Sequence, residues 1–400
     1  MATITGATGS AVTFSSGSNE AAARRISSQI SDALARGAAA LVRDPSVSPA
    51  TGTTGVFVEN SSGNQFRLAS GNDTVVLASR GANTVFGASG ANQSVVADDG
   101  NLVFVAGGGS GSVTTGDGSN FIVLPTSGVG AFNVTTGAGD DVVFALSGAN
   151  VVNAGGGSNI IGTGTGSTTV VGSGSTDVVF GSVGGKLNVT GGGGSTFVAA
   201  GGADLSFVGG SGRATVFVGS GHTTASGGAG GGFIGGGTGG SNHLTGGDGA
   251  GTSTLFGGGD GDLLEARGFA QTTFVSAASG NHTLTGAASS ADNVFYQTGG
   301  NGLLQGGNGA DTFVVFGGNA TINGGAGQDL IGIVAGGHSS ITINGFNGAE
   351  HVSLVGYGQG EAARALKATA GTAQANVLNL SDGTRVEFVG VTQLSSSSFI

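Results

Sequence analysis

The sequence predicts an all-β chain: a right-handed parallel β-solenoid with a short N-terminal helix and a β-rich C-terminal cap. Three observations predict it. Glycine supplies 88 of 400 residues, 22% of the chain and about three times ordinary usage. Short apolar clusters of Val, Ile and Phe recur about every nine to ten residues from Val56 to Ile333. Turns such as Gly71-Asn72-Asp73, Gly118-Ser119-Asn120, Gly139-Asp140-Asp141 and Gly157-Ser158-Asn159 separate them. Strands of roughly three or four residues are unstable alone, but stacked in parallel they bury one face in a continuous core. Glycine accepts the positive φ of the turns, and β-branched residues fill the strands.

The elements follow in order. Residues 1–50 form the first region, with Ala2-Thr3-Ile4-Thr5 and Ala11-Val12-Thr13-Phe14 readable as short strands able to pair with a neighbouring subunit. From Asn19 to about Val42 the spacing of Ile26, Ile30, Ala33, Leu34 and Leu41 predicts an amphipathic helix, with Asn19 as its cap. Gly37 is able to end it early, and Pro45 and Pro49 mark the boundary. The helix is expected to cover the open end of the solenoid, residues 51–335. Residues 336–400 form the C-terminal region.

Composition excludes several classes. Twelve Lys and Arg against 23 Asp and Glu give a net charge of −11, which disfavours nucleic acid and anionic membranes. No stretch is long and apolar enough to form a transmembrane helix, and no basic, apolar export signal opens the chain. Three prolines and no triplet period exclude collagen, and the lack of cysteine removes disulfides and thiolate metal sites.

Two stretches carry a full nonapeptide pattern, G-G-x-G-x-D-x-U-x with U a large apolar residue. They are Gly306-Gly307-Asn308-Gly309-Ala310-Asp311-Thr312-Phe313-Val314 and Gly324-Gly325-Ala326-Gly327-Gln328-Asp329-Leu330-Ile331-Gly332. In them the chain resembles the RTX family of calcium-binding repeats. The resemblance implies a coil of two nonapeptides, so the eighteen-residue offset places Asp311 and Asp329 in adjacent coils on one edge. It also implies a calcium ion held by the carboxylates of Asp311 and Asp329 and the carbonyls of Gly307, Gly309, Gly325 and Gly327. Elsewhere the sixth position carries Asn83, Asn92, Asn120, Asn150, Asn159 or Thr168 more often than Asp73 or Asp141. Those coils are expected to hold calcium poorly and to stack their amides in ladders instead. The fragments around Asp248, Asp260 and Asp262 read as interrupted nonapeptides.

The C-terminal region carries a second resemblance. Ile341 to Asn347, then Leu378 to Val391, then a serine run closed by Phe399-Ile400, are similar to the ends of proteins exported by type I secretion. That resemblance implies an uncleaved C-terminal signal, a type I apparatus as partner and an extracellular or cell-surface location.

Strand side chains alternate, so the neighbours of each core residue point outward. The outward positions include Phe86, Phe121, Val123, Val142, Phe144, Val178 and Phe180, with Val151 and Ile160. An apolar stripe of this kind demands a partner, and a second copy of the chain is the expected one. The function expected is therefore a secreted, self-assembling structural protein of a filament, biofilm matrix or surface layer. The alternatives are an adhesin for a glycan or cell surface, or a carbohydrate-active enzyme on a β-helix. Catalysis is disfavoured: there are two Lys, two Tyr, no Trp, and five His without metal-ligand spacing. Asp260, Asp262 and Glu265 are the nearest approach to a carboxylate cluster.

Overall fold

Alternation within each short strand sets its place. In Val142–Ala145, Val143 and Ala145 are buried while Val142 and Phe144 point outward. Parallel pairing stacks Ile122, Val143, Ile161 and Val179 in one fully buried column. The outward positions form columns of their own. In this computed structural model every residue is described except 7–8, 91, 175, 183, 371–375 and 393.

The chain divides into two units, Met1–Asp204 and Leu205–Ile400. In the first, two parallel sheets share the stacked core. Sheet I begins at Ala39–Val42 and Thr54–Glu59 and continues through Thr74–Leu77 to Lys186–Thr190. Sheet II runs from Gln65–Arg67 to Thr196–Ala200. The second unit repeats the plan. Its sheet I strands include Asn281–Ser289, Asn301–Gln305 and Asn319–Asn323, and its sheet II strands include Thr312–Val315 and Leu330–Val334. Phe274, Phe295 and Phe313 stack face to face in its core, with centroids 4.6 Å apart at each step. The chain is thus mostly β and a parallel β-solenoid, as its periodicity predicts.

Turn glycines let coils approach closely. Gly325 (φ +98°) and Gly327 (φ +123°) hold left-handed conformations, and a Cβ at either would strike the carbonyl oxygen of Gly307 or Gly309 in the preceding coil. Any side chain there would prise the coils apart.

The N-terminal region departs from expectation in three ways. Helix α1 spans Glu20–Ala35 rather than reaching Val42. Arg36 caps it and Gly37, at φ +71°, turns the chain into the strand Ala39–Val42, which carries Leu41. Asn19 occupies the N-cap position, but its amide donates to the Thr115 carbonyl (2.8 Å) instead of capping. The helix also lies against the outer face of sheet I. Ala23, Ile30 and Leu34 join Val56, Val76 and Val96 in one cluster with Ile4 and Phe14. Ala2–Thr5 and Ala11–Phe14 pair antiparallel with each other.

The C-terminal residues continue the stack: Ser340–Asn344 pairs in parallel with Arg385–Val389, which pairs antiparallel with Val377–Asn379. Between them stands helix α2, Glu361–Thr369, unforeseen in the sequence. Its Ala-rich run of good helix formers after Gly360 was the available signal. Among the described residues no helix is long and apolar enough to cross a membrane.

Candidate assembly face and candidate metal centre

Seven consecutive strands of sheet II in the first unit, from Asn83–Phe86 to Thr196–Ala200, expose an apolar face. One column carries Val103, Phe121, Val142, Ile160, Val178 and Phe197. The next carries Phe86, Val105, Val123, Phe144, Gly162, Phe180 and Ala199. All seven residues expected at an interface, Phe86, Phe121, Val123, Val142, Phe144, Val178 and Phe180, therefore share one face. Phe121 is 41% exposed, Ile160 44% and Phe180 48%, although core-forming residue types fill these positions. Val151 does not belong: it lies on sheet I between Asn133 and Thr169, because its strand follows the other turn of the coil.

Its aromatic rings pack against the sheet and one another. The Phe144 ring lies over Gly162, its Cδ1 2.6 Å from where a Cβ would stand, so the ring rests on the sheet. Phe121 meets Phe144 edge-on at 5.9 Å. At one end the Arg67 guanidinium sits 5.3 Å above the Phe86 ring. Seven rungs at ~4.8 Å and a width of ~10 Å give an apolar area of about 300 Å², the scale of patches that carry function. Sequence reasoning missed a second such face on sheet II of the other unit, with Phe217, Phe233, Phe256, Val275, Tyr296 and Val314. Glycine-rich insertions such as 246–251 break its spacing in the sequence.

Inside the coil, the edge where sheet II strands begin is polar. In the first unit it alternates amide and acid. Leu102 N–H donates to Asn120 Oδ1 (3.0 Å), and Asn120 N–H and Nδ2–H both donate to Asp141 Oδ1 (2.8 Å each). Asp141 N–H donates to Asn159 Oδ1 (3.0 Å), and Asn159 Nδ2–H to Asp177 Oδ1 (2.9 Å). The expected amide ladder thus takes acids as alternate rungs. Burial pushes the Asp141 carboxyl up to about 6, against the hydrogen bonds from Thr136 and Asn120, and pushes Asp177 up as well. At two turns the register slips by one residue: Asn72 and Gln93 are buried where Asp73 and Asn92 were expected. Asn72 donates to the Pro45 and Val47 carbonyls, and Gln93 to those of Ala88 and Gly108, which holds these side chains inside.

In the second unit the same edge stacks acids. The pairing of Thr312 with Leu330 places Asp311 and Asp329 on adjacent rungs, and that of Leu330 with His351 places Glu350 next. Asp311 accepts Asn293 N–H at Oδ1 and Gly307 N–H at Oδ2 (2.7 Å each). Asp329 Oδ1 accepts Asp311 N–H (2.8 Å), whereas its buried Oδ2 has no hydrogen-bond partner among the described residues. Burial, with the charges of Asp311 and Glu350, pushes the Asp329 carboxyl up to about 6, and burial raises Asp311 too. The donors here are all hard oxygens and one is an orphan, which fits a calcium ion. Gly307 already spends its carbonyl on Ala326 N–H (3.0 Å), so Asp329 and the Gly325 and Gly327 carbonyls are the freer donors. Among the described residues no group of three or more His, Asp or Glu side chains is placed to hold a metal, so any cation here relies on backbone carbonyls.

The remaining acids are dispersed. Asp262 is buried and accepts Asn242 N–H and Nδ2–H, Gly258 N–H and Gly259 N–H. Asp260 and Asp248 are exposed, and Glu265 faces out to His243 (2.8 Å) and Arg267 (3.0 Å). The structure does not bring Asp260, Asp262 and Glu265 together as one cluster. Comparisons with protein-family models, curated proteins and solved structures found no match to this chain. Its own geometry carries the functional argument.

Proposed function

We propose that this chain is a secreted structural protein that self-assembles through the apolar face of sheet II. The observation that carries the reading is the continuous apolar stripe around Phe121, Phe144, Ile160 and Phe180. A second copy is the partner best matched to it, because another such face has the same rung spacing and the same apolar columns. About 300 Å² is less than a stable dimer buries per partner, so contacts repeated along a polymer suit it better than one isolated pair. Export by a type I apparatus rests on the resemblance of the C-terminal residues, and an extracellular matrix, filament or surface layer is the setting. Calcium binds at Asp329, with Asp311 and the Gly325 and Gly327 carbonyls, and supplies the positive charge the stacked acids lack.

Sedimentation velocity tests the assembly. Phe144→Asp with Phe180→Asp should leave the far-UV circular dichroism unchanged and lower the Tm only modestly, since both rings pack on the outer face rather than in the core, and should abolish fast-sedimenting species. Polymers surviving both substitutions would remove this face from the interface.

A further inference from the structure

Sheet I of the second unit turns a polar face outward. Asn281, Asn301 and Asn319 hold equivalent positions on successive strands and are exposed. Asn319 Nδ2 donates to Asn301 Oδ1 (2.9 Å) and Asn301 Nδ2 to Asn281 Oδ1 (3.1 Å). Asn281 donates through N and Nδ2 to Asp260 Oδ1 (2.6 and 3.0 Å), bonds that hold the Asp260 carboxyl below its usual range. Each amide has two N–H donors and an oxygen with two lone pairs, and the ladder engages one of each on Asn301. A spare donor and a spare acceptor therefore repeat along the coil at the rung spacing of ~4.8 Å.

A groove of about 450 Å³ runs beside this ladder, floored by Leu263, Thr283, Leu303 and Thr321. It is continued by a hollow of about 250 Å³ along Asn319 and Thr342. No Lys or Arg lines either one, the acid Asp262 is spent on inward hydrogen bonds, and His282 is buried beneath the groove floor. An anion finds no exposed Lys or Arg here. Leucine methyls alternating with threonine hydroxyls suit a ligand with C–H faces and hydroxyl edges, which describes a sugar ring. The geometry points to a binding groove for a neutral polysaccharide, laid along the coil axis with its hydroxyls on the Asn281, Asn301 and Asn319 ladder.

Affinity gel electrophoresis of the full chain tests this, using the Phe144→Asp and Phe180→Asp background so that polymerisation cannot mimic retardation. Gels containing dextran or hydroxyethyl cellulose should retard the protein, and gels containing anionic alginate should not. Thr321→Val, which keeps the shape and removes a hydroxyl, and Asn301→Ala should each weaken retention by about tenfold, the worth of one or two neutral hydrogen bonds. Thr321→Val should do so with the Tm unchanged. Absence of retardation in both neutral gels, equal retardation in alginate, or full retention by Thr321→Val would overturn the assignment.

Discussion

From Asn120 to Asp177 the interior edge of the first unit alternates amide and acid; from Asp311 to Glu350 that of the second stacks three acids in succession. A carboxylate only accepts, whereas an amide both accepts and donates. Asn120 and Asn159 can therefore receive a backbone N–H from one coil and donate to the acid of the next. Each run leaves one buried carboxylate oxygen without a hydrogen-bond partner among the described residues, Asp141 Oδ2 in the first unit and Asp329 Oδ2 in the second. But no amide stands between Asp311 and Asp329, so Asp329 lies between two further stacked acids. The same fold thus builds one edge that separates its buried acids with amides and another that stacks them next to each other.

The largest effect should come from breaking the alternation. Asn159→Leu strands the buried Asp141 N–H and removes a donor from Asp177, costing about 3 kcal/mol or more. Thermal unfolding by circular dichroism would read it, and a loss under 1 kcal/mol would mean that the ladder is ornamental. Next comes Asp329→Asn, which removes the bare oxygen and its charge. In chelator it should stabilise the chain by about 1–2 kcal/mol, and in calcium it should lose the calcium response of the parent protein. An undiminished calcium response in this variant would move the ion elsewhere.

The smallest effect is a pH dependence in the first unit. The folded Asp141 carboxyl, at about 6, lies above its ordinary 3.8. The stability it contributes is therefore complete below pH 3.8 and is lost as pH rises through 6. Two units correspond to nearly 3 kcal/mol, which residual screening reduces to about 1 kcal/mol. Relative to the parent protein, Asp141→Asn should gain that much between pH 4 and pH 7 in paired melts. Parallel curves would refute the buried-charge account of this rung.

Much of this was legible in the sequence because one physical rule repeats. Phe121, Val142 and Val178 read as outward because alternation within a strand is strict, and the eighteen-residue offset of the two full repeats sets Asp311 above Asp329. Legibility failed where an insertion or slip broke the period. The one-residue shifts to Asn72 and Gln93 depend on carbonyls of neighbouring turns, which sequence spacing does not reveal. Likewise, the placement of α1 on sheet I depends on Val76 and Val96 being outward yet apolar, and they are indistinguishable in sequence from the inward Val75 and Val95. Glu350 escaped notice because it follows a Gly-Phe-Asn-Gly-Ala turn and no nonapeptide motif.

Negative-stain electron microscopy of the purified protein, in calcium and in chelator, tests the central claim most directly. Because the apolar stripe rests on coils whose amide and acid rungs bond to one another without a metal, ordered filaments or sheets should form in both conditions. Isolated particles in both, or polymers that vanish in chelator, would contradict it.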